Sequence, residues 1–244
     1  PIRQNFSGEN YIFEIGKELT ANIRVFCKSE GVTSFMLLIS VYSLLLFRYS
    51  NQNDICIGTP TASRSCTETE KLIGYFANTN VIRTQIDGNI PYRDYLRQVK
   101  SNVLQVFRNQ DLPFERLVPH IVTNRNPALT SIFQYAFVLQ NTSKEALDLP
   151  GLTVEFIKAE SKGAKFDMFL SISEDTNICR SMFEYNTDLF DKKTIERLSG
   201  HYINLLDSII KYPQMSLNSL PMISNEEKDK LIQNFNSMQE DYDF

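Results

Sequence analysis

TSFMLLISVYSLLLF, residues 33–47, is almost continuously apolar. At 15 residues it falls short of the roughly 20 that a membrane-spanning helix needs. The run therefore reads as a helix buried on most of its sides. Thr33 is placed to cap it, and Arg48 ends it.

Working outward, residues 14–29 read as an amphipathic helix that stops before Gly31. Downstream, NDICIGTPTA (53–62) alternates Ile55 and Ile57 with polar neighbours, which predicts a strand delivering a turn at Gly58-Thr59-Pro60. TNVIRTQID (79–87) reads as another strand. Pro91 opens a helix to about Asn109, with Tyr92, Leu96, Val99, Val103 and Phe107 at helical spacing. It breaks at NQDLPFERLV (109–118), where Pro113 can start a short helix over 114–122 with Asp111 as a favourable charge near its N-terminus.

The second half changes character. SIFQYAFVLQ (131–140), LTVEFIKAE (152–160), KFDMFLSISED (165–175) and ICRSMFEYN (178–186) read as strands. The last two are joined by Thr176-Asn177, a tight hairpin turn. A final helix spans about 191–212, with Asp191 as its N-cap, a stripe of Leu198, Tyr202, Leu205 and Ile209, and Pro213 as its stop. Residues 214–244 are polar, carry a short charged helix at 225–235, and read as a linker. Interleaved helices and strands followed by a strand-rich half indicate an α/β fold.

The bulk numbers agree with a globular chain. Of 244 residues, 42% are hydrophobic and 22% charged, enough for a sizeable core in one large or two small domains. A net charge of −4 and a pI of about 5.4 give no reason to invoke nucleic acid or an anionic membrane. Cys27, Cys56, Cys66 and Cys179 are scattered and form no CxxC, as expected of a reduced, cytoplasmic protein. Two histidines, His120 and His201, make a zinc site improbable, and each reads as a packing or surface residue. No signal-peptide pattern stands at the start. The first residue is Pro1 rather than methionine, which points to a piece of a longer polypeptide or a processed chain.

A search for chemistry finds no GxGxxG, no GxxxxGK[ST], no GxSxG and no metal-ligand cluster. Six segments, however, stand in a telling order: GTPTASR (58–64), IGYFANTNVIR (73–83), NQDLPFERLV (109–118), RNPALTSIFQYAFVLQN (125–141), KFDM (165–168) and YNTDLF (185–190). With these segments the chain resembles the C-terminal lobe of a condensation domain from a nonribosomal peptide synthetase. SLPMISNEEKDKLIQNFN (219–236) is similar to the linker that leads into an adenylation domain.

The resemblance implies a chloramphenicol acetyltransferase-like lobe, with a mixed, mostly antiparallel sheet and helices packed on it. It implies a lobe over 1–213 and a linker toward an adenylation domain over 214–244. The family reaction is amide formation between thioesters carried on phosphopantetheine arms. No cofactor is then expected to bind this chain directly. The implied partners are an N-terminal condensation lobe, upstream and downstream peptidyl carrier proteins, and the adenylation domain, with neither nucleic acid nor membrane. The family's HHxxxDG signature is absent, since the chain contains no His-His pair. No catalytic residue is therefore expected in this chain, which the resemblance makes half of a V-shaped enzyme and inactive alone.

By the same resemblance, Arg64 would pair with the Asp of HHxxxDG across the lobe junction, or else find another acceptor. Asn78, with Thr79 beside it, would bind a substrate carbonyl or orient the histidine loop, unless the pair merely starts a strand. Gly74 would permit a close backbone approach or a tight turn, and Phe76 lies in the same motif. Arg83 is left between a structural ion pair and the tunnel. Phe114 would pack under the tunnel, with Gln110 and Asp111 bracing adjoining backbone, so that NQDLPFERLV is scaffold rather than catalyst. Gln134 would look into the channel, and Arg125 and Asn126 would brace the loop before it. An apolar, groove-like face is expected where the other lobe sits. The rival reading is a noncatalytic docking module for carrier proteins or neighbouring domains.

Overall fold

The structure, a computed structural model, describes residues 6–62, 64, 67–70, 72–122, 132–140, 163–175 and 178–239. The apolar run is helix α2 (Ser34–Ser50), and every residue from Met36 to Phe47 is buried. Thr33 caps it as expected, its hydroxyl accepting from the Met36 N–H at 3.2 Å. Helix α1 (Lys17–Glu30) enters at a sharp angle and ends on Gly31, whose φ of +63° is the left-handed conformation that terminates helices.

Helix α2 is the centre of the helical layer. It packs on α1, on α4 (Tyr92–Arg108), on α6 (Lys192–Lys211) and on strand β2 (Asp54–Thr61). Buried hydroxyls bind these helices to it: Tyr92 meets the Ser40 hydroxyl at 2.6 Å, and Tyr202 donates to the Leu38 carbonyl at 3.0 Å. Among the described residues, no single helix is long and apolar enough to cross a membrane.

Beneath this layer lies one six-stranded mixed sheet. Its other strands are β1 (Gly8–Ile15), β3 (Asn78–Gln85), β4 (Tyr135–Gln140), β5 (Met168–Glu174) and β6 (Cys179–Asn186), in the order β1-β6-β5-β4-β2-β3. Three neighbouring pairs are antiparallel, while β5–β4 and β4–β2 are parallel. The β2–β4 ladder is short: only Ile57–Tyr135 and Gly58–Ala136 pair among the described residues.

Several expectations shift. Strand β1 occupies residues where no strand is read from the sequence, and α1 starts at Lys17 rather than at 14. Phe13 and Ile15 face the core, but Ile12 points outward at 57% exposure, so the alternation that marks a half-buried strand is blurred. The turn expected at Gly58-Thr59-Pro60 lies inside β2, opposite Val81, Asn80 and Thr79. Gly58 is there for another reason: a Cβ on it would stand 2.1 Å from the Phe133 ring. The strand expected over 131–140 begins at Tyr135. The strand at 152–160 and the Thr176-Asn177 turn lie outside the described residues, although Asp175 N–H donates to the Ile178 carbonyl at 3.1 Å.

Asp191 caps α6 through a 2.6 Å acceptance from Thr194 N–H, and the Leu198, Tyr202, Leu205 and Ile209 stripe is buried. Past Pro213 the chain lies on the body. Pro213 and Met215 carbonyls accept from Arg93 and Tyr92, Leu217 and Leu220 are buried, and Arg48 donates to both of their carbonyls. Only from Asn225, where α7 (Asn225–Gln239) begins, does the chain become exposed at nearly every described position.

Candidate active-site face

β2 and β3 form an antiparallel pair, so their Thr61 and Asn78 ends lie opposite each other at one edge of the sheet. The connection between them holds the short helix α3 (Thr67–Glu70) and Arg64. Arg64 finds acceptors within its own loop. It donates to the Thr69 carbonyl and, at 2.9 Å, to that of Leu72. Its guanidinium carbon lies 4.4 Å from the centre of the Phe76 ring, a cation–π stack. Gly74 keeps the turn tight: a Cβ there would sit 3.0 Å from the Phe76 ring. The outer side of this loop is apolar, with Leu72, Ile73 and Tyr75 exposed, Ile73 completely so.

Asn78 is the knot of the site. Its amide nitrogen donates to the carbonyls of Gln110 and Leu112, each at 2.8 Å. Its side-chain oxygen accepts from Thr79 N–H at 2.9 Å and Phe114 N–H at 3.1 Å. Two donors and two acceptor positions are the full capacity of an asparagine side chain. Asn78 therefore binds the NQDLPF joint to β3, and no group remains for a substrate carbonyl. Gln110 takes part through its backbone, Asp111 is exposed, and Pro113 leads into α5 (Phe114–Ile121) as its N-cap.

Phe114 packs edge-on against buried Phe133, centroids 5.8 Å apart. The row continues through Phe166 at 5.4 Å to Phe169 at 6.2 Å. An aromatic wall thus runs from the joint onto the sheet. Gln134 precedes β4, and its carbonyl accepts from Asp167 N–H at 3.0 Å. Burial pushes the Asp167 carboxyl above the usual carboxylate range, and burial, with Asp167 adding to it, raises the Tyr135 phenol. Phe133, Phe166 and Asp167 escape sequence reasoning because each reads as an ordinary strand residue. The available signal was Gly58, a glycine inside an alternating strand, which marks close approach by another group.

Arg83 stands at the far end of β3 in a forked ion pair with Asp54, at 2.6 to 3.1 Å. Hydrogen bonding to Arg83 holds the Asp54 carboxyl below its ordinary value. A shallow depression beside this pair, about 840 Å³, is lined by Asn53, Gln85, Asp87 and Asn102 and is separate from the joint. It is open, polar and remote from the aromatic wall, so its size carries no functional weight. His120 is exposed, with Nδ1 2.9 Å from the Arg116 carbonyl. Arg125 and Asn126 lie outside the described residues.

Comparison with known proteins fits this arrangement. Residues 1–232 match the family described as Condensation domain, and the chain belongs to that family. It is 35% identical over 242 residues to tyrocidine synthase 3 of Brevibacillus parabrevis, covering 99% of this chain and 4% of that protein. Bacitracin synthase 3 of Bacillus licheniformis is 36% identical over 242 residues, again covering 99% of this chain and 4% of that protein. The chain spans only 3–5% of the length of the first curated relatives it matches. Among solved structures, a four-domain nonribosomal peptide synthetase superposes with a TM-score of 0.83 at 22% identity, over 93% of this chain and 18% of that one. The X-domain from teicoplanin biosynthesis gives 0.84 at 19% identity, over 91% of this chain and 51% of that one. The fold is the chloramphenicol acetyltransferase-like α/β fold that the six motifs imply.

Proposed function

We propose that this chain is the C-terminal lobe of a condensation domain and forms one wall of an amide-forming site. In the reaction, the acceptor amine attacks the donor's thioester carbon. A C–N bond forms, the C–S bond breaks, the phosphopantetheine arm leaves as a thiol, and the amine loses a proton. Such a step needs two long-armed reactants aligned in a channel, with help for the developing oxyanion. The catalytic histidine belongs to an N-terminal lobe carrying HHxxxDG. This chain supplies shape.

The observation that carries the reading is the cluster at one end of β2 and β3. The Arg64 loop, the Asn78-bound joint and the Phe114–Phe133–Phe166–Phe169 wall meet there. Leu72, Ile73, Tyr75 and Leu112 are exposed beside it. Apolar side chains this exposed, gathered in one region, are what an interface leaves when its partner is removed. Arg64 then has two roles: it holds its own loop, and it offers the charge that an aspartate of the other lobe would meet. Asn78 and Thr79 support the site through the joint. Gly74 and Phe76 shape the Arg64 loop.

In the same proposal, residues 1–213 form the lobe and 214–244 begin the connection toward an adenylation domain. The partners are the N-terminal lobe and the upstream and downstream peptidyl carrier proteins, whose phosphopantetheine arms enter the channel, in the cytoplasm. The test is reconstitution: this chain, an N-terminal lobe, and donor- and acceptor-loaded carrier proteins are mixed and assayed for dipeptide. Product from the mixture and none from the chain alone is expected. Carrier-protein binding with no product in the complete mixture would favour the docking-module reading instead.

A further inference from the structure

Away from the joint, one buried polar cluster has no part in the proposed reaction. His201, on α6, is 5% exposed. Its Nδ1 lies 2.7 Å from the Tyr49 hydroxyl at the end of α2, and its Nε2 lies 2.8 Å from the Glu227 carboxylate in the first turn of α7. The Tyr49 ring also packs on the imidazole, with centroids 5.8 Å apart. Arg197, one turn earlier on α6, stands beside the Tyr49 hydroxyl. A neutral imidazole satisfies this chain of contacts: Tyr49 O–H donates to Nδ1, and Nε2–H donates to Glu227.

Among the described side chains of helix α7, Glu227 alone is not exposed. Leu231, Ile232 and Phe235 are all exposed, so the described residues of α7 lay no buried apolar side chain on the lobe. The helix is also capped at its start, where the Ser224 hydroxyl accepts from Glu227 N–H at 3.1 Å. Just before it, residues 217–222 are tied down, with Asn204 donating to the Met222 carbonyl at 3.0 Å and Ser208 to that of Pro221 at 2.8 Å. A firm stem, a single buried contact and an exposed arm together make a pivot.

We propose that His201 is the pivot pin of α7. The Glu227–His201–Tyr49 contact fixes the direction in which the helix leaves the lobe. Breaking it frees α7 to swing about residues 223–227 while the sheet and the α1, α2, α4 and α6 layer stay intact. This role belongs to the position of α7 alone and does not depend on the amide-forming reading.

The experiment is hydrogen–deuterium exchange on the full chain, comparing native protein with Glu227→Ala and Glu227→Gln. Glu227 lies on the outer helix, so its truncation leaves the core folded. A hydrogen bond to a charged group holds strongly enough that its loss should speed exchange of the 228–233 amides about tenfold or more, with β5, β6 and α6 unchanged. Glu227→Gln keeps an acceptor oxygen for Nε2–H and should restore most of the protection. Faster trypsin cleavage after Lys228 and Lys230 should accompany Glu227→Ala only. Equal α7 exchange in native and Glu227→Ala chains, or acceleration that spreads equally into β5 and α6, would overturn the proposal.

Discussion

Replacing Asn78 by alanine should unpick the joint. The substitution removes two N–H donations, to the Gln110 and Leu112 carbonyls, and two acceptances, from Thr79 and Phe114 N–H. A single such bond contributes about 0.5–1.5 kcal/mol net, and partly exposed partners regain water when it is lost. Four together suggest a loss of roughly 2–4 kcal/mol. In a domain of this size each 1 kcal/mol lowers Tm by about 2–4 °C, so a fall of roughly 5–15 °C is expected if unfolding is two-state. Because the joint lies at the sheet's edge, part of the effect should be local. Exchange at residues 110–114 should then accelerate more than exchange in α2. Asn78→Asp is the control. It keeps the acceptor oxygens but turns a carboxylate toward two carbonyls, so it should destabilise at least as much as alanine. A native-like Tm and unchanged exchange at 110–114 in Asn78→Ala would refute the assignment of this side chain to the joint.

Gly58→Ala should destabilise by about 1–3 kcal/mol through overpacking against Phe133, and Phe133→Leu in the same chain should recover part of that loss in chemical denaturation. Asp167 is predicted to oppose stability at neutral pH. Its folded-state pKa is raised, so the folded state is favoured below the ordinary carboxylate range and penalised above it. Asp167→Asn should therefore raise Tm at pH 7, with the gain shrinking toward pH 4. Asp54 has the opposite sign: its lowered pKa contributes stability above the ordinary carboxylate range that fades as pH falls below it, and Arg83→Ala should abolish this acid-side dependence. Leu220→Ala should cost about 2–5 kcal/mol in denaturant unfolding, as expected for a buried core leucine.

Long periodic segments were the most legible part of this chain. The apolar run at 33–47, the stripe of α4 and the capped α6 are recognisable because burial, period and cap agree. Strand β1 was hidden by a single outward isoleucine, Ile12, and by a burial pattern that depends on its partner β6. The polarity of 214–224 concealed two leucines, Leu217 and Leu220, that are isolated in sequence yet sit over the core. At the candidate site, the motifs named residues that the structure brings together at one end of β2 and β3, but not their contacts. Nothing local in IGYFANTNVIR says that Asn78 reaches backbone more than 30 residues away. Such a bond is long-range, and a short window of sequence carries no record of it. The aromatic wall is hidden for the same reason, since its four rings come from three separated segments.

The brevity of the β2–β4 ladder gives the sheet a mechanical character. Six or more consecutive residue pairs join every other neighbouring couple of strands, but among the described residues two join this one. The sheet is thus two stiff ribbons, β1-β6-β5-β4 and β2-β3, sewn by a short seam. Phe133 lies across the seam on Gly58, like a rivet head covering a joint between plates. Separating the two ribbons there would break the described seam pairs alone and leave the pairing inside each ribbon intact.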